Sequence, residues 1–260
     1  MALETRQLDG IAARRGRRTK LPPELSKAVA GHEAAPDRAA PERAKLLTVS
    51  SSKGGSTKTT TVRNLAVAAA HQGLRVCTVN LDAQPTLTTW ARARKDVPGA
   101  PEIAHRAISA KGCIGEIQAL LTKGGFDLVV VDTPPGVESH PVELRMLIRK
   151  SDFVVLTTQQ AKADLDSVTE WSNTIRREGA QFTFLLGRTS RQQKNFDAAK
   201  ARLNEEGDLC PFDVRAAASV DDSDKLGIGN MEIRGDRCGE DFRGVWSYVA
   251  KKLGIGRKEP

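Results

Sequence analysis

The sequence predicts an α/β fold, a mostly parallel sheet flanked by helices, and three observations carry that prediction. From Lys45 onward, short apolar runs rich in β-branched residues alternate with longer stretches of helical character, the pattern of a parallel sheet with crossover helices. The first of these runs, from Leu46, passes through a glycine pair and a lysine straight into a helical pattern. Another run, Phe126 to Val131, is apolar apart from Asp127 and ends in Asp132-Thr133-Pro134-Pro135-Gly136. That places a carboxylate at the carboxyl end of a buried strand, where open α/β sheets bind their ligands.

Taken in order, Leu46–Ser50 reads as the first strand, and Lys58–His71 as a helix ending near Gly73. Arg75–Asn80 is the second strand and runs into Leu81-Asp82-Ala83-Gln84-Pro85-Thr86. Residues 91–112 are polar and contain Pro98, Gly99 and Pro101, so an irregular loop or insertion is expected there. A helix over Ile114–Leu121 leads through Gly124 and Gly125 into the strand Phe126–Asp132. Two further strands, Phe153–Thr157 and Phe182–Gly187, alternate with helices over Leu165–Glu178 and Phe196–Glu206. A short strand at Leu209–Phe212 and a closing helix over Asp241–Leu253 complete the expected set.

Residues 1–44 differ from the rest, being rich in Ala, Arg and Pro, and read as a basic flexible arm ahead of one domain over 45–260, with a short helix expected over Glu24–Ala30. Within the arm, Arg14, Arg15, Arg17, Arg18 and Lys20 form a cluster without an acid, suited to neutralising phosphates or simply solvated. The whole chain of 260 residues carries a net charge of +8, which suggests an anionic partner without saying which. The four cysteines are far apart, with no C-x-x-C and no histidine pair at metal-ligand spacing, and read as idle thiols of a reducing cytosol. There is no secretory signal and no run long enough to cross a bilayer, so the expected location is cytoplasmic.

The chemistry concentrates at Lys53-Gly54-Gly55-Ser56-Thr57-Lys58-Thr59-Thr60. The glycines let backbone N–H groups approach an anion closely, and the helix that follows offers its unpaired N–H groups and positive dipole end. In such a loop Lys58 reaches the terminal phosphates and the Thr59 hydroxyl sits on Mg²⁺, with Asp132 completing the metal's shell through water. The strict spacing G-x-x-x-x-G-K-[ST] is not met, because Ser52 and Thr57 stand at its two glycine positions. An ordinary glycine turn is the alternative reading of the loop taken alone.

Apart from Thr57, the loop matches the deviant form K-G-G-x-G-K-T-[ST], and in this it resembles the ParA/MinD superfamily of deviant-Walker ATPases. The resemblance covers roughly residues 45–253 and implies a SIMIBI-type P-loop NTPase fold that binds and hydrolyses ATP with Mg²⁺. It assigns Lys53 as the signature lysine that crosses a dimer interface to the partner's nucleotide, and Asp132 as the Walker B aspartate. The segment Asn80-Leu81-Asp82-Ala83-Gln84 is similar to the family's D-x-D-P-Q, which makes Asp82 the residue that orients the attacking water. Asn80 and Ala83 depart from that pattern, and the asparagine keeps the hydrogen-bonding shape while losing the charge. Thr57 departs too, since a β-branched residue in a sparsely allowed backbone region costs about 1–3 kcal/mol. Micromolar nucleotide binding, worth roughly 8 kcal/mol, exceeds that cost.

The ParA-type reading further implies an ATP-sandwich homodimer on non-specific DNA, nucleoid-associated until hydrolysis releases it, and a centromere-binding, ParB-like adaptor that stimulates slow hydrolysis. Arg188, Arg191, Lys194, Lys200 and Arg202 are the candidate DNA contacts, with Lys251, Lys252, Arg257 and Lys258 a second basic group. No helix-turn-helix or zinc-finger spacing is present, which favours phosphate contacts over base readout. The segment Thr157-Thr158-Gln159-Gln160 resembles only loosely a region near the base and dimer interface, and Trp90, in the stretch resembling a switch helix, reads as packing. Two rivals stay open: a MinD-like membrane-cycling ATPase and a nucleotide-dependent DNA-binding switch with little hydrolysis. The membrane reading rests on Phe242, Val245, Trp246, Val249 and Leu253, whose spacing a core-facing terminal helix equally requires.

Overall fold

The computed structural model describes residues 41–135 and 141–255. Six strands, β1 (Lys45–Ser50), β2 (Val76–Asn80), β3 (Ile103–Ala107), β4 (Leu128–Asp132), β5 (Phe153–Thr158) and β6 (Phe182–Leu186), form one sheet in the order β3-β2-β4-β1-β5-β6. Every pairing is parallel. β1, β2 and β4 lie under helices on both faces, so their strands are apolar on both sides and almost wholly buried. The register sets Val49 of β1 and Asn80 of β2 level with Asp132 of β4, so three adjacent strands end at one height.

Eight α-helices are described: α1 (Lys58–His71), α2 (Thr86–Arg94), α3 (Cys113–Lys123), α4 (Pro141–Lys150), α5 (Lys162–Arg177), α6 (Phe196–Glu206), α7 (Ser219–Leu226) and α8 (Arg237–Leu253), with a 3₁₀ turn at Asn230–Glu232. α1 is buried nearly all round, between the sheet and α8, which explains its Ala- and Val-rich composition. α3 and α4 cover the opposite face through Ile117, Leu121, Leu144 and Leu147, and α5 and α6 close over β5 and β6 through Leu165, Val168, Ile175 and Leu203. Arg43 already bonds bidentately to Asp152, and the Ala44 amide bonds to the Leu121 carbonyl, so the chain joins the fold just before β1.

Most expected elements are present within a few residues, and two expectations are corrected. Residues 91–112 are irregular only over 95–102 and 108–112: α2 runs to Arg94 and β3 forms the sheet edge, its half-exposed sequence Ile-Ala-His-Arg-Ala lacking the apolar run that marks a buried strand. Leu209–Phe212 is not a strand, because Leu209 makes only one bridge to Phe184 and Pro211 has no N–H to continue a ladder. Two helices were not foreseen. α4 carries its signal in Pro141 at the first position and in buried Leu144, Leu147 and Ile148, whereas α7 buries only Ser223 and has no apolar stripe to read.

Residues 1–40 of the expected arm 1–44, with the helix at Glu24–Ala30 and Arg14, Arg15, Arg17 and Arg18, lie outside the described residues, as do Arg257 and Lys258. Among the described residues no helix is long and apolar enough to cross a membrane. The apolar face of α8 turns inward: Phe242, Val245, Trp246, Val249 and Leu253 are all buried in the core beside α1. Phe242→Ala is therefore expected to cost about 3–5 kcal/mol, read as a lowered denaturation midpoint. A helix that served as a surface anchor would instead leave the midpoint unchanged and lose only vesicle binding.

Candidate functional site

The carboxyl ends of β1, β4 and β2 open into a cleft of about 700 Å³, lined on one side by residues 54–60, Asp82, Gln84 and Thr86 and on the other by Arg188, residues 214–218, Val220 and Asp221. That is a volume suited to a nucleotide-sized ligand. All of Gly54 to Thr60 face it. The loop is tied down from several sides: the Ser51 and Ser56 hydroxyls donate to the Lys53 carbonyl at 2.7 and 3.0 Å, and the Gln159 amide donates to the Gly55 carbonyl at 3.0 Å. Backbone N–H groups at the start of α1, which the helix cannot pair internally, are left available for an anion.

Lys58 is buried, with its Nζ donating to Ser51 Oγ at 2.9 Å. Burial lowers its pKa, opposed by the nearby Asp132 and Asp82 charges. Thr59 donates its hydroxyl to Asp132 Oδ2 at 2.6 Å. The other carboxylate oxygen of Asp132, Oδ1, is buried without a hydrogen-bond partner among the described residues. Burial pushes the Asp132 pKa up to about 7, with the Thr59 hydrogen bond pulling the other way. An orphaned carboxylate oxygen beside a threonine hydroxyl is a donor set suited to a hard divalent cation, which would supply the missing positive partner.

Asp82 sits at the cleft wall and accepts the Gln84 amide at 2.9 Å. Asn80 lies behind it: its Nδ2 donates to the carbonyls of Asp82 and Gln84 at 3.1 and 3.2 Å, and its Oδ1 accepts the Asp82 amide at 3.0 Å. A carboxylate cannot donate, so the Asn80 amide clamps the loop in a way that the aspartate of the resembling motif would not. Trp90 is fully buried and donates to the Ile228 carbonyl, the packing role expected of it.

Lys53 does not enter the cleft. It is exposed, its Nζ donating to the Ala163 carbonyl at 2.7 Å and lying 3.6 Å from Asp164 at the start of α5. The basic residues after β6 are less free than their sequence suggests. Arg191 pairs with buried Asp213, Arg202 with Asp166, and Lys200 lies over the Phe196 ring, while Arg188 lines the cleft. The four cysteines are free and buried, and burial raises their thiol pKa values. Among the described residues no cluster of three or more His, Cys, Asp and Glu side chains is arranged to hold a metal.

Thr57 adopts the left-handed conformation expected of the residue it replaces, with φ 69° and ψ 13°. Its side chain fills the space above Gly187: a Cβ built there would lie 2.3 Å from Thr57 Oγ1 and 3.3 Å from its Cβ. The threonine in the loop and the glycine after β6 are therefore one steric unit, a link that neither stretch reveals alone. Gly187→Ala is expected to destabilise by about 1–3 kcal/mol in the wild-type background and by far less once Thr57→Gly has cleared the space. Denaturant midpoints of the two single variants and the double variant check this, and simple additivity would refute it.

The comparisons agree with this geometry. Residues 47–228 match the family described as the CobQ/CobB/MinD/ParA nucleotide binding domain. The maintenance of carboxysome distribution protein A of Gloeobacter kilaueensis is 30% identical over 213 residues, covering 77% of this chain and 92% of that protein. The chromosome-partitioning ATPase Soj of Thermus thermophilus is 28% identical over 139 residues, covering 44% of this chain and 55% of Soj. Among solved structures, the septum site-determining protein MinD of Pyrococcus horikoshii, complexed with Mg-ADP, superposes with a TM-score of 0.69 at 18% identity, over 83% of this chain and all of that one. With its parallel sheet, its lysine-bearing loop at the end of β1 and the aspartate beside it at the end of β4, the chain belongs to the ParA/MinD family of P-loop ATPases.

Proposed function

We propose that the protein is an ATP-dependent partition ATPase of ParA type: an ATP-sandwich dimer that binds DNA without sequence preference and is released by hydrolysis. The observation that carries this reading is the division of labour between two lysines on one loop. Lys58 points inward, buried beside Asp132 and Asp82, where a phosphate chain would satisfy its charge. Lys53 points outward at the rim, where it donates to the Ala163 carbonyl and pairs with Asp164, contacts that cost little to exchange for a partner's phosphate.

In the proposed mechanism the N–H groups of Gly54 to Thr60 cradle the phosphates and Lys58 bridges the β and γ groups. Thr59 and Asp132 would hold Mg²⁺, which would neutralise charge on the phosphates. Asp82 accepts a hydrogen bond from the attacking water and orients it toward the γ-phosphate, while the wall from Val214 to Ala218 receives the base. A ParB-like adaptor would act on the hydrolysis step.

One observation favours a variant of this reading in which the cargo is a protein assembly. The carboxysome-distribution relative aligns over 92% of its length, whereas Soj aligns over 55% of its own. The inward apolar face of α8 weighs against a membrane-cycling variant.

Lys58→Ala is expected to abolish ATP binding in equilibrium dialysis, whereas Asp82→Ala retains binding and loses phosphate release. Hydrolysis at the wild-type rate by Asp82→Ala would remove its assignment. Lys53→Gln should bind ATP yet remain monomeric by light scattering, and dimer populations equal to wild type would count against a trans lysine. Asp132→Asn removes a carboxylate charge whose burial outweighs the support of Thr59, Lys58 and Arg63, so the nucleotide-free protein should melt higher at pH 8 while losing the added stability that Mg²⁺ with ATP confers. For DNA, affinity for unrelated duplexes should be similar, with log K falling against log salt at a slope near −0.9 per phosphate neutralised, steeper with ATP. Binding indifferent to ATP, or confined to one sequence, would favour a specific DNA-binding switch.

A further inference from the structure

The loop that carries Asp82 is held from a direction the nucleotide cleft does not explain. His105 lies on the edge strand β3, opposite Thr78 in the β2–β3 register. Its Nδ1 is 3.0 Å from Thr78 Oγ1, and its Nε2 is 3.0 Å from Thr88 Oγ1 in the first turn of α2. One assignment of protons satisfies the whole chain: with the Thr78 hydroxyl donating to the Ala104 carbonyl at 3.2 Å, Thr78 accepts from His105 Nδ1–H. Nε2 is then the bare nitrogen, and Thr88 donates to it. The lone pairs of Thr88 Oγ1 are left to face Asn80 Nδ2, at a longer 3.5 Å.

The histidine is suited to this neutral, one-donor one-acceptor form. Burial, then the charges of Arg106, Arg92 and Lys95, hold its pKa down at about 4. None of those three cations forms an ion pair among the described residues. Thr88 in turn follows the Asp82 loop by only a few residues, and the Thr89 amide closes the first turn of α2 onto the Pro85 carbonyl at 2.8 Å. The loop is thus fixed at its entry by Asn80 and at its exit by His105 acting through Thr88.

We infer that His105 is a positioning residue for hydrolysis, holding the Asp82 loop and the start of α2 in register with the cleft through the chain Thr78–His105–Thr88–Asn80. The inference rests on the ATPase reading above, and it adds a residue more than one strand removed from the phosphates. It also gives the asparagine at position 80 a purpose: the amide supplies donors to the Asp82 and Gln84 carbonyls, and a lone pair of Thr88 lies within its reach.

The test uses the full chain with His105→Ala and, separately, Thr88→Val, which is nearly isosteric and leaves the histidine in place. Hydrogen exchange of residues 81–89, whose Asp82, Gln84 and Thr89 amides are bonded within the loop, reports on its order without requiring turnover. Both variants are expected to speed that exchange, to lower kcat about tenfold or more, and to leave ATP affinity within about twofold of wild type. A purely structural role would lower the melting point and ATP affinity together with kcat. Unchanged exchange in Thr88→Val, or a loss confined to affinity, would overturn the inference. A wild-type protein that orders this loop through His105 yet releases no phosphate from ATP would instead sink the ATPase reading.

Discussion

The site depends on one constraint, the parallel register that ends β1, β4 and β2 at the same height. Because Val49 and Asn80 both stand level with Asp132, the loop leaving β1 turns directly over the carboxylate of β4, and the loop leaving β2 comes up on its far side. A slip of one residue in either pairing would turn every side chain of the slipped strand to the other face of the sheet. Both faces are packed with apolar side chains, from α1 and α8 on one side and α3 and α4 on the other, so the register is held by the core. The hydrogen bond from Thr59 to Asp132 is a consequence of that alignment.

The energy of the core is spent against an unfavourable arrangement of charge. Lys58, Arg63 and Asp132 are all buried around the start of α1, and burial disfavours the charged form of each. Arg63 is repaid by its ion pair with Asp224, and Lys58 in part by the Ser51 hydroxyl, but one oxygen of Asp132 has no partner among the described residues. Thr57 adds backbone strain and an unpaired buried hydroxyl of its own. Backbone strain at Thr57 and unpaired polarity at Thr57 and Asp132 suit a site that takes a charged ligand, although Arg94 Nε, Thr169 Oγ1 and Trp246 Nε1 are also buried without a partner among the described residues.

Much of this was legible in the sequence because the signals were local. A buried parallel strand such as Leu128–Asp132 is an unbroken apolar run, and Lys58–His71 announces itself by composition, so the strand ending in Asp132 and the helix that follows the glycine-lysine loop stand where the sequence puts them. What escaped depended on partners distant in the chain. β3 is a strand because β2 offers it an edge, and its own residues are too polar to say so. Gly187 makes sense only once Thr57 is packed on it, and His105 only once β3 has set it beside Thr78. Lys53 was marked out by its motif, but its resting contact with Ala163 and Asp164 could not be read from a residue more than a hundred positions away.

The same distinction governs the basic stretch after β6. Read along the chain, Arg191 and Arg202 are equivalent cations, but the fold makes them unequal. Arg202 pairs with Asp166 at an exposed surface, where water screens the bridge and either partner can return to solvent. Arg191 pairs with an Asp213 that is buried and already accepts the Thr189 hydroxyl, so pulling the arginine away would leave a carboxylate charge in a poorly solvated place. A polyanion meeting this face would therefore recruit Arg202 cheaply and Arg191 only by sharing it with Asp213. The effective positive charge of the segment is smaller than its count of arginines and lysines, and the arginine that sequence alone ranks beside the others is the one the fold holds back.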